Sequence, residues 1–146
     1  MTIVIPLLDQ KLNTGDVVAI QAGEKYWQRV ERDGRNPIEI VGDSIGPYNR
    51  FVVTVAPSSQ IALKADNGLY LSRIGRGGTS PIEAAKNVID VFSLFTITVF
   101  TDGYIALRAD PNLYLSVVSR GGQTNLEAAK TDIDPFCIFK LTVLKS

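Results

Sequence analysis

The feature that most constrains the fold of this chain is an internal repeat. Residues 61–99 and 105–143 align at an offset of 44 without a gap, and 22 of the 39 aligned positions are identical. An earlier, more diverged copy runs from Val18 to Val55 and needs a one-residue deletion near Gly23. Repeats of this length indicate an architecture built from copies of one supersecondary unit. The three units span about residues 16–56, 60–100 and 104–144.

The local signals within a unit favour β-structure. Residues 61–65 alternate apolar with polar or small side chains, and Asp66-Asn-Gly then leads into Leu69-Tyr-Leu-Ser, which is typical of a hairpin. One segment disagrees, because Ser80-Pro-Ile-Glu-Ala-Ala-Lys resembles a capped helix start. The first copy has Pro37-Ile-Glu-Ile-Val-Gly there, with β-branched residues and a glycine. If the units share one fold, this segment is a strand in all of them.

Four strands in each of three units predict twelve strands. Three units without capping variants make a poor solenoid, whereas closure into a ring removes the exposed sheet edges. The sequence therefore predicts an all-β chain with a β-trefoil fold. In that fold three units of about 44 residues form a six-stranded barrel capped by three hairpins, and residues 1–146 form a single domain.

Nine of the twelve aromatic residues recur at equivalent positions in all three units. A core built around a threefold axis uses side chains three at a time, and large aromatic side chains are usually buried. We therefore expect all three aromatic triplets to pack in the core, with Ile38, Ile82 and Leu126 as an aliphatic layer. The triplets are Tyr26, Tyr70 and Tyr114; Tyr48, Phe92 and Phe136; and Phe51, Phe95 and Phe139.

Composition excludes several classes of function. Fifteen basic and fifteen acidic side chains cancel, which argues against a nucleic-acid binder. No apolar stretch of 18 residues occurs, so no membrane insertion by a helix is expected. Histidine is absent, which removes the commonest general base and zinc ligand, and Cys137 has no cysteine to pair with. We expect a protein that is not an enzyme and uses no metal or cofactor.

The first fifteen residues lie outside the repeat. Their apolar run, MTIVIPLLDQ, has no basic region before it and no small-residue cleavage site after it, so a signal peptide is not indicated. We expect a cytoplasmic protein, with unconventional secretion as the alternative. The segment is predicted either to lie over the barrel or, preferably, to form part of a homodimer interface.

The motifs ALKADNGLYLSRIGRGG and ALRADPNLYLSVVSRGG, with IDVFSLF and IDPFCIF, resemble the fascin-like, actin-crosslinking group of β-trefoils over about residues 16–143. The group includes actin bundlers and small fungal lectins, and a single trefoil looks more like mushroom lectins of the porcini type. The resemblance implies a non-catalytic lectin that binds galactose or N-acetylgalactosamine on glycans through up to three sites. An actin-binding cytoskeletal module is the alternative. Trp27-Gln28 reverses the Gln-x-Trp order of ricin-type trefoils, so ricin-type sugar positions are not carried over.

Polar triplets supply the candidate carbohydrate-binding residues. Sugar hydroxyl groups need convergent donors and acceptors, which a polar loop with close backbone approach can offer. A second interpretation stays open: each arginine pairs with Glu39, Glu83 or Glu127 to hold a loop, and glycine supplies a positive φ in a turn. The candidates are Arg32, Arg76 and Arg120; Gly34, Gly78 and Gly122; Asn36, Ser80 and Thr124; and Asp43, Asn87 and Thr131.

Overall fold

The computed structural model describes residues 2–5 and 10–145, which form fourteen β-strands and several short 3-10 turns. Strands β1 (Thr2–Ile5) and β2 (Gln10–Asn13) form an antiparallel pair. The other twelve belong to one sheet. They are β3 (Val17–Ala22), β4 (Lys25–Arg29), β5 (Ile38–Gly42), β6 (Phe51–Ala56), β7 (Gln60–Lys64), β8 (Tyr70–Arg73), β9 (Ile82–Lys86), β10 (Phe95–Val99), β11 (Tyr104–Ala109), β12 (Leu113–Arg120), β13 (Gln123–Lys130) and β14 (Phe139–Lys145).

The outer strands of each unit close into a barrel. Within the units β3 pairs with β6, β7 with β10, and β11 with β14. Between the units β6 pairs with β7, β10 with β11, and β14 with β3. These six antiparallel pairings form a closed ring of six strands, and the inner strands of each unit make the hairpins β4–β5, β8–β9 and β12–β13. The predicted all-β, β-trefoil fold is confirmed.

The three hairpins meet around the barrel axis. Asn125 pairs with Glu39, Pro37 with Glu83, and Pro81 with Glu127, so each hairpin contacts both of its neighbours. Strand β9 covers most of the segment whose local signals suggested a helix. Its pairing with β8 and the bridge to the next hairpin outweigh the helical propensity of its alanines. The prediction of a strand there is confirmed.

One of the three aromatic triplets is completely buried in the core. Phe51, Phe95 and Phe139 are completely buried, as are the predicted aliphatic residues of the hairpins. Trp27 is also fully buried, with its ring centroid 5.1 Å from that of Phe139 and 6.3 Å from that of Phe51, edge to face. Trp27 is therefore part of the packed interior, as ordinary burial of tryptophan predicts.

A second aromatic triplet contradicts the prediction of burial. Tyr48 is 50% exposed and Phe136 is 59% exposed, while Phe92 is partly buried. All three lie in the 3-10 turns just before β6, β10 and β14, outside the barrel wall. The turn directs them to the surface, where a cation lies over each ring. The Tyr26, Tyr70 and Tyr114 triplet is partly buried.

The segment before the first repeat is attached to the barrel. Leu12 is fully buried and belongs to the core. The Gly15 amide donates to the Val53 carbonyl at 2.8 Å, and the Val55 amide donates to Thr14 Oγ1 at 2.9 Å. The end of this segment therefore packs along β6. Its role in a homodimer stays a prediction. In the described part of the chain no helix is long and apolar enough to span a membrane.

Two aspartates that start 3-10 turns are expected to make stability depend on pH in acid. Asp90 and Asp134 accept from the amides of Phe92 and Phe136 at the start of these turns. Hydrogen bonds from Lys86 and Lys130 lower the pKa of these carboxyl groups below the ordinary 3.8. A lowered folded pKa stabilises the protein above the unfolded value, and this stabilisation is lost as the pH falls through the folded pKa.

The measurement is the urea midpoint as a function of pH. The midpoint should decline below about pH 4, and the Asp134→Asn variant should decline less steeply there than the parent. An equally steep acid decline in Asp134→Asn and the parent would contradict the assignment. Thr131→Asn, a change at an exposed position that leaves the ion pair of Lys130 and Asp134 in place, serves as the control and should follow the parent.

Candidate functional site

The candidate arginines each bind a buried carboxylate of their own unit. Arg76 Nε and Nη2 donate to Glu83 at 2.6 and 2.7 Å, and Arg120 Nε donates to Glu127 at 2.8 Å. Arg32 makes the same contact with Glu39. The hydrogen bond to the carboxylate raises the pKa of each guanidinium. These contacts agree with the second interpretation of the sequence, in which each arginine pairs with a glutamate and holds the hairpin.

The candidate glycines lie in the tight turns that connect the hairpin strands. Gly34, Gly78 and Gly122 have φ of 78°, 102° and 80°, and no atom lies within 4 Å of a Cβ placed on them. The residue before each also has a positive φ, as a two-residue hairpin turn of this type requires. Backbone conformation, and not close approach of a partner, explains glycine at these positions.

The remaining candidates make none of the arginine–glutamate contacts of the hairpin turns. Asn36, Ser80 and Thr124 border the grooves between adjacent units, which we call interunit clefts. Each cleft lies between the hairpin of one unit and the first turn of the next, so the first, second and third clefts follow units one, two and three. Asp43 is exposed and pairs with Lys25, and Asn87 and Thr131 are exposed. The structure therefore separates the candidates into three groups. The arginines and glycines belong to the hairpin turns, Asn36, Ser80 and Thr124 border the clefts, and the other three are exposed.

An arginine fills the first cleft. Arg29 Nε and Nη2 donate to Asp66 of the next unit at 2.6 and 2.9 Å, and Nη1 donates to Asn36 at 2.7 Å. Its guanidinium carbon is 5.3 Å from the centre of the Tyr48 ring. The hydrogen bond to Asp66 raises the pKa of Arg29. Arg29 thus joins units one and two and lies over the ring of Tyr48, which is 50% exposed.

The second cleft repeats this arrangement with different partners. Arg73, at the position of Arg29, donates through Nε to the Asp110 backbone carbonyl of the third unit. Its Nη1 contacts Ser80 Oγ at 3.4 Å, and its guanidinium carbon is 5.0 Å from the centre of the Phe92 ring. The arginine again lies across the junction and over an aromatic side chain.

The third cleft has neither the arginine nor the aspartate that stand at the other two junctions. Val117 stands where the other units have arginine, and the first turn of unit one has Gly23 where the others have an aspartate. Thr124 and Phe136 occupy the positions of Asn36 and Tyr48. A valine cannot donate across the junction, so the third cleft is open, whereas the first and second are filled.

The open cleft is larger than the two cavities at the first junction. Its volume is about 520 Å³, compared with about 290 Å³ beside Arg29 and Tyr48 and about 220 Å³ beside Asn36 and Leu69 at the first junction. Small-ligand pockets run from about 300 to 1,000 Å³, and of these three cavities only the third cleft lies within that range. Its apolar wall is formed by Ala22, Ile40, Val41, Val117, Pro135, Phe136 and Ile138.

Polar groups lie at two sides of this apolar wall. Lys25 and Thr124 line the cleft, and Lys25 forms an ion pair with Asp43. Lys130 Nζ lies 5.6 Å from the centre of the Phe136 ring and is held by Asp134 at 2.5 Å. The cleft thus combines one exposed aromatic ring with an ammonium group and a hydroxyl group, and the Asp43 carboxylate is bound to that ammonium group. Across residues 2–5 and 10–145, no group of histidine, cysteine, aspartate and glutamate side chains could hold a metal ion.

Of the predicted residues, Thr124 lines the open cleft, and Asp43 is the partner of Lys25, which also lines it. The sequence reasoning missed Phe136, Val117, Gly23 and Lys25. A signal was available in the alignment of the units, where Arg29 and Arg73 correspond to Val117 and where the one-residue deletion falls at Gly23. That signal is a departure from the repeat, whereas the candidates were chosen because they recur.

Comparison with known proteins supports the fold. No protein-family model matches the chain, and no curated protein sequence matches it. The designed threefold-symmetric protein ThreeFoil superimposes with a TM-score of 0.75 at 14% identity, covering 88% of this chain and 99% of that one. A Polyporus squamosus lectin, solved with the glycan Neu5Acα2-6Galβ1-4GlcNAc, gives a TM-score of 0.74 at 10% identity, covering 91% of this chain and 50% of that one.

Lysenin in complex with phosphocholine also resembles the chain, with a TM-score of 0.72 at 15% identity over 92% of this chain and 46% of lysenin. At such low identities the likeness concerns the fold alone. The chain is a β-trefoil, as the closed ring of six strands and the three hairpins already indicate.

Proposed function

We propose that this protein is a non-catalytic lectin that binds the galactose or N-acetylgalactosamine unit of a glycan in the third interunit cleft. The observation that carries the proposal is the open third cleft, which is lined by the exposed ring of Phe136. Its two equivalents are filled by arginine. The proposal gives one primary site per chain, where the repeat alone suggests up to three.

The chemistry of the cleft suits a hexose. One face of a galactose ring carries mostly C–H groups. An exposed aromatic ring can cover this face while few polar groups of the sugar lose their contact with water. Phe136 offers that ring at the edge of the cleft. Lys25 and Thr124 line the same cleft and supply a charged donor and a hydroxyl group for the sugar hydroxyl groups, and Asp43, the partner of Lys25, adds a carboxylate acceptor beside it.

The filled clefts support the same proposal by contrast. In the first cleft the guanidinium of Arg29 lies over Tyr48 and is held by Asp66, so a sugar would have to displace a bidentate ion pair. In the third cleft no ion pair crosses the junction, and the cation over Phe136 is Lys130 of the same unit. The solved complex of the Polyporus squamosus lectin with a sialylated galactoside gives independent support, since that lectin has the same fold.

The experiment is calorimetric titration of the chain with galactose and N-acetylgalactosamine, with glucose for comparison, together with a glycan array. We expect saturable binding of a galactose-type sugar with one site per chain. No binding to any sugar at millimolar concentration, and none on the array, would overturn the proposal. Co-sedimentation with actin filaments tests the alternative of a cytoskeletal module, and a pellet without sugar binding would favour that alternative.

Replacing Phe136 by alanine should weaken galactose binding about fivefold, because stacking on an aromatic ring contributes on the order of 1 kcal/mol. Titration calorimetry measures the change. Tyr48→Ala is the matched control, because Tyr48 is the equivalent side chain in a filled cleft and is similarly exposed. Equal losses in the two variants would mean that the third cleft is not the site.

A lectin that crosslinks glycans, and so agglutinates cells, needs more than one sugar site in its assembly. With a single primary site per chain, a homodimer would be needed to crosslink glycans, which fits the expectation of a dimer from the sequence. Light scattering of the protein in solution tests this part of the proposal separately from sugar binding.

A further inference from the structure

A cavity on the barrel axis, distinct from the interunit clefts, is surrounded by the three hairpins. Its volume is about 300 Å³, and all three units contribute side chains to it. Arg35, Thr79 and Gln123 stand at one equivalent position of the units, and Arg76 and Arg120 at another. The site therefore has the approximate threefold symmetry of the fold itself.

Buried carboxylates hold two of the guanidinium groups of this cavity in place. Glu83 and Glu127 are almost completely buried, and they fix Arg76 and Arg120 by charge-assisted hydrogen bonds. A guanidinium has five N–H groups, so the two that Arg76 gives to Glu83 leave three others. In the described part of the structure these remaining donors have no protein acceptor. Arg76 and Arg120 are 36% and 52% exposed at their side chains, which leaves them accessible from the cavity.

The charge of the lining is positive. Three arginines line the cavity, namely Arg35, Arg76 and Arg120. Glu83 and Glu127 neutralise two of them, so the remaining positive charge is that of Arg35. Arg35 is exposed and forms no ion pair with any of the residues that the structure describes. Thr79, Gln123 and Asn125 add a hydroxyl and two amide groups that can donate. Hydrogen-bond donors thus outnumber acceptors around the axis, which favours an anion.

The geometry points to a second binding site on the axis, and we propose that it takes a tetrahedral oxyanion, a sulfate or phosphate group. Such a group has a threefold axis of its own, so three of its oxygens can each face one unit. Arginine binds these oxygens through parallel N–H groups, and prior fixing by a buried carboxylate reduces the side-chain entropy lost on binding. The group could be a free ion or an ester on a sugar, and the experiment separates these two sources.

The experiment is an NMR titration of the labelled chain with inorganic sulfate, inorganic phosphate, galactose 6-sulfate and plain galactose at constant ionic strength, with chloride as the balancing ion. We expect saturable shifts at the backbone amides of Thr79 and Gln123 with each of the three oxyanions and none with plain galactose. Tighter binding of galactose 6-sulfate than of inorganic sulfate would identify an ester site, and the reverse order a free-ion site. Absence of saturable shifts at these amides with all three oxyanions would overturn the proposal.

Variants keep the test independent of folding. Arg35→Gln removes the arginine that has no carboxylate partner, and it should weaken sulfate binding about fivefold. Arg50→Gln, an exposed change outside the cavity lining, is the control. Thr79→Arg places in unit two the arginine that unit one has at Arg35 and should tighten binding about threefold. Equal affinities in Arg35→Gln and Arg50→Gln would contradict the assignment.

This site does not depend on the lectin proposal. A variant that blocks the third cleft should leave the shifts caused by sulfate unchanged, and a failure of galactose to bind would not affect the sulfate titration.

Discussion

Val117→Arg is expected to abolish sugar binding in the third cleft. The substitution gives unit three the side chain that fills the equivalent cleft in units one and two. Arg73 shows that a backbone carbonyl is a sufficient partner across the junction, so the introduced arginine can bind the first turn of unit one although Gly23 has no carboxylate. Its guanidinium would then lie over Phe136, as that of Arg73 lies over Phe92 at 5.0 Å.

The measurement is calorimetric titration with the best sugar from the array, and the expected result is no detectable heat of binding. Val88→Arg is the matched control, since it makes the same change of side chain and charge at a position that is 63% exposed in unit two. It should bind as the parent does. If Val117→Arg keeps the parent affinity while its melting temperature is unchanged, the sugar binds elsewhere and the third cleft is not the site.

Phe139→Ala should be the most destabilising single change considered for this chain. Phe139 is fully buried, and its ring contacts Trp27 edge to face. Truncating a buried phenylalanine to alanine costs about 3–5 kcal/mol, because apolar contacts are lost and a cavity remains. Such a loss is a large fraction of the stability of a domain, which is typically about 5–15 kcal/mol.

Urea denaturation of Phe139→Ala and Phe136→Ala tests this. The two residues are three positions apart in one unit and of one type, but Phe136 is 59% exposed. We expect the free energy of unfolding of Phe136→Ala to change by less than about 1 kcal/mol. Comparable losses of stability in the two variants would show that Phe136 packs in the core, and the third cleft would then lose its aromatic wall.

The fold could be predicted because it depends on what the three units share. Alternation of apolar residues, turn signals and an offset that recurs without a gap are properties of the sequence itself. The segment of Ser80 was correctly predicted as a strand only by comparison with Pro37, since its own propensity favours a helix. Pairing with neighbouring strands decided its conformation, and such pairing is visible in a sequence only through the copies.

Burial of the aromatic residues was predicted less well. Phe92 and Phe95 recur with equal regularity, so recurrence cannot distinguish a core side chain from a surface one. The difference arises from the 3-10 turn that ends at Ser93, which places Phe92 outside the barrel wall and Phe95 inside it. A turn of three residues is too short to give a periodic signal.

The candidate site was predicted only in part, for a related reason. Recurrent polar residues such as Arg76 and Gly78 are those that every hairpin needs, one to bind a buried glutamate and the other to turn the chain. The open cleft arises where the repeat fails, at Val117 and Gly23. A cavity left by missing side chains has no motif of its own, and it becomes visible only when the three units are superimposed.

The open cleft lies at the third junction, the seam of the ring, where the two ends of the repeat region meet and close the barrel. Short loops join β6 to β7 and β10 to β11, whereas β14 and β3 lie at opposite ends of the repeat region. These two strands are joined by their pairing from Lys140 to Lys145 and by the neighbouring contact of Asn125 with Glu39, with no connecting loop. Without an arginine across it, this seam is where the ring should open most often, and its amides should exchange with solvent before those of the other two junctions. A ligand in the third cleft would contact units three and one and would join them as Arg29 and Arg73 join the units at the other two junctions. Occupancy would then be reported by slower amide exchange in β3 and β14, far beyond the residues that touch the ligand.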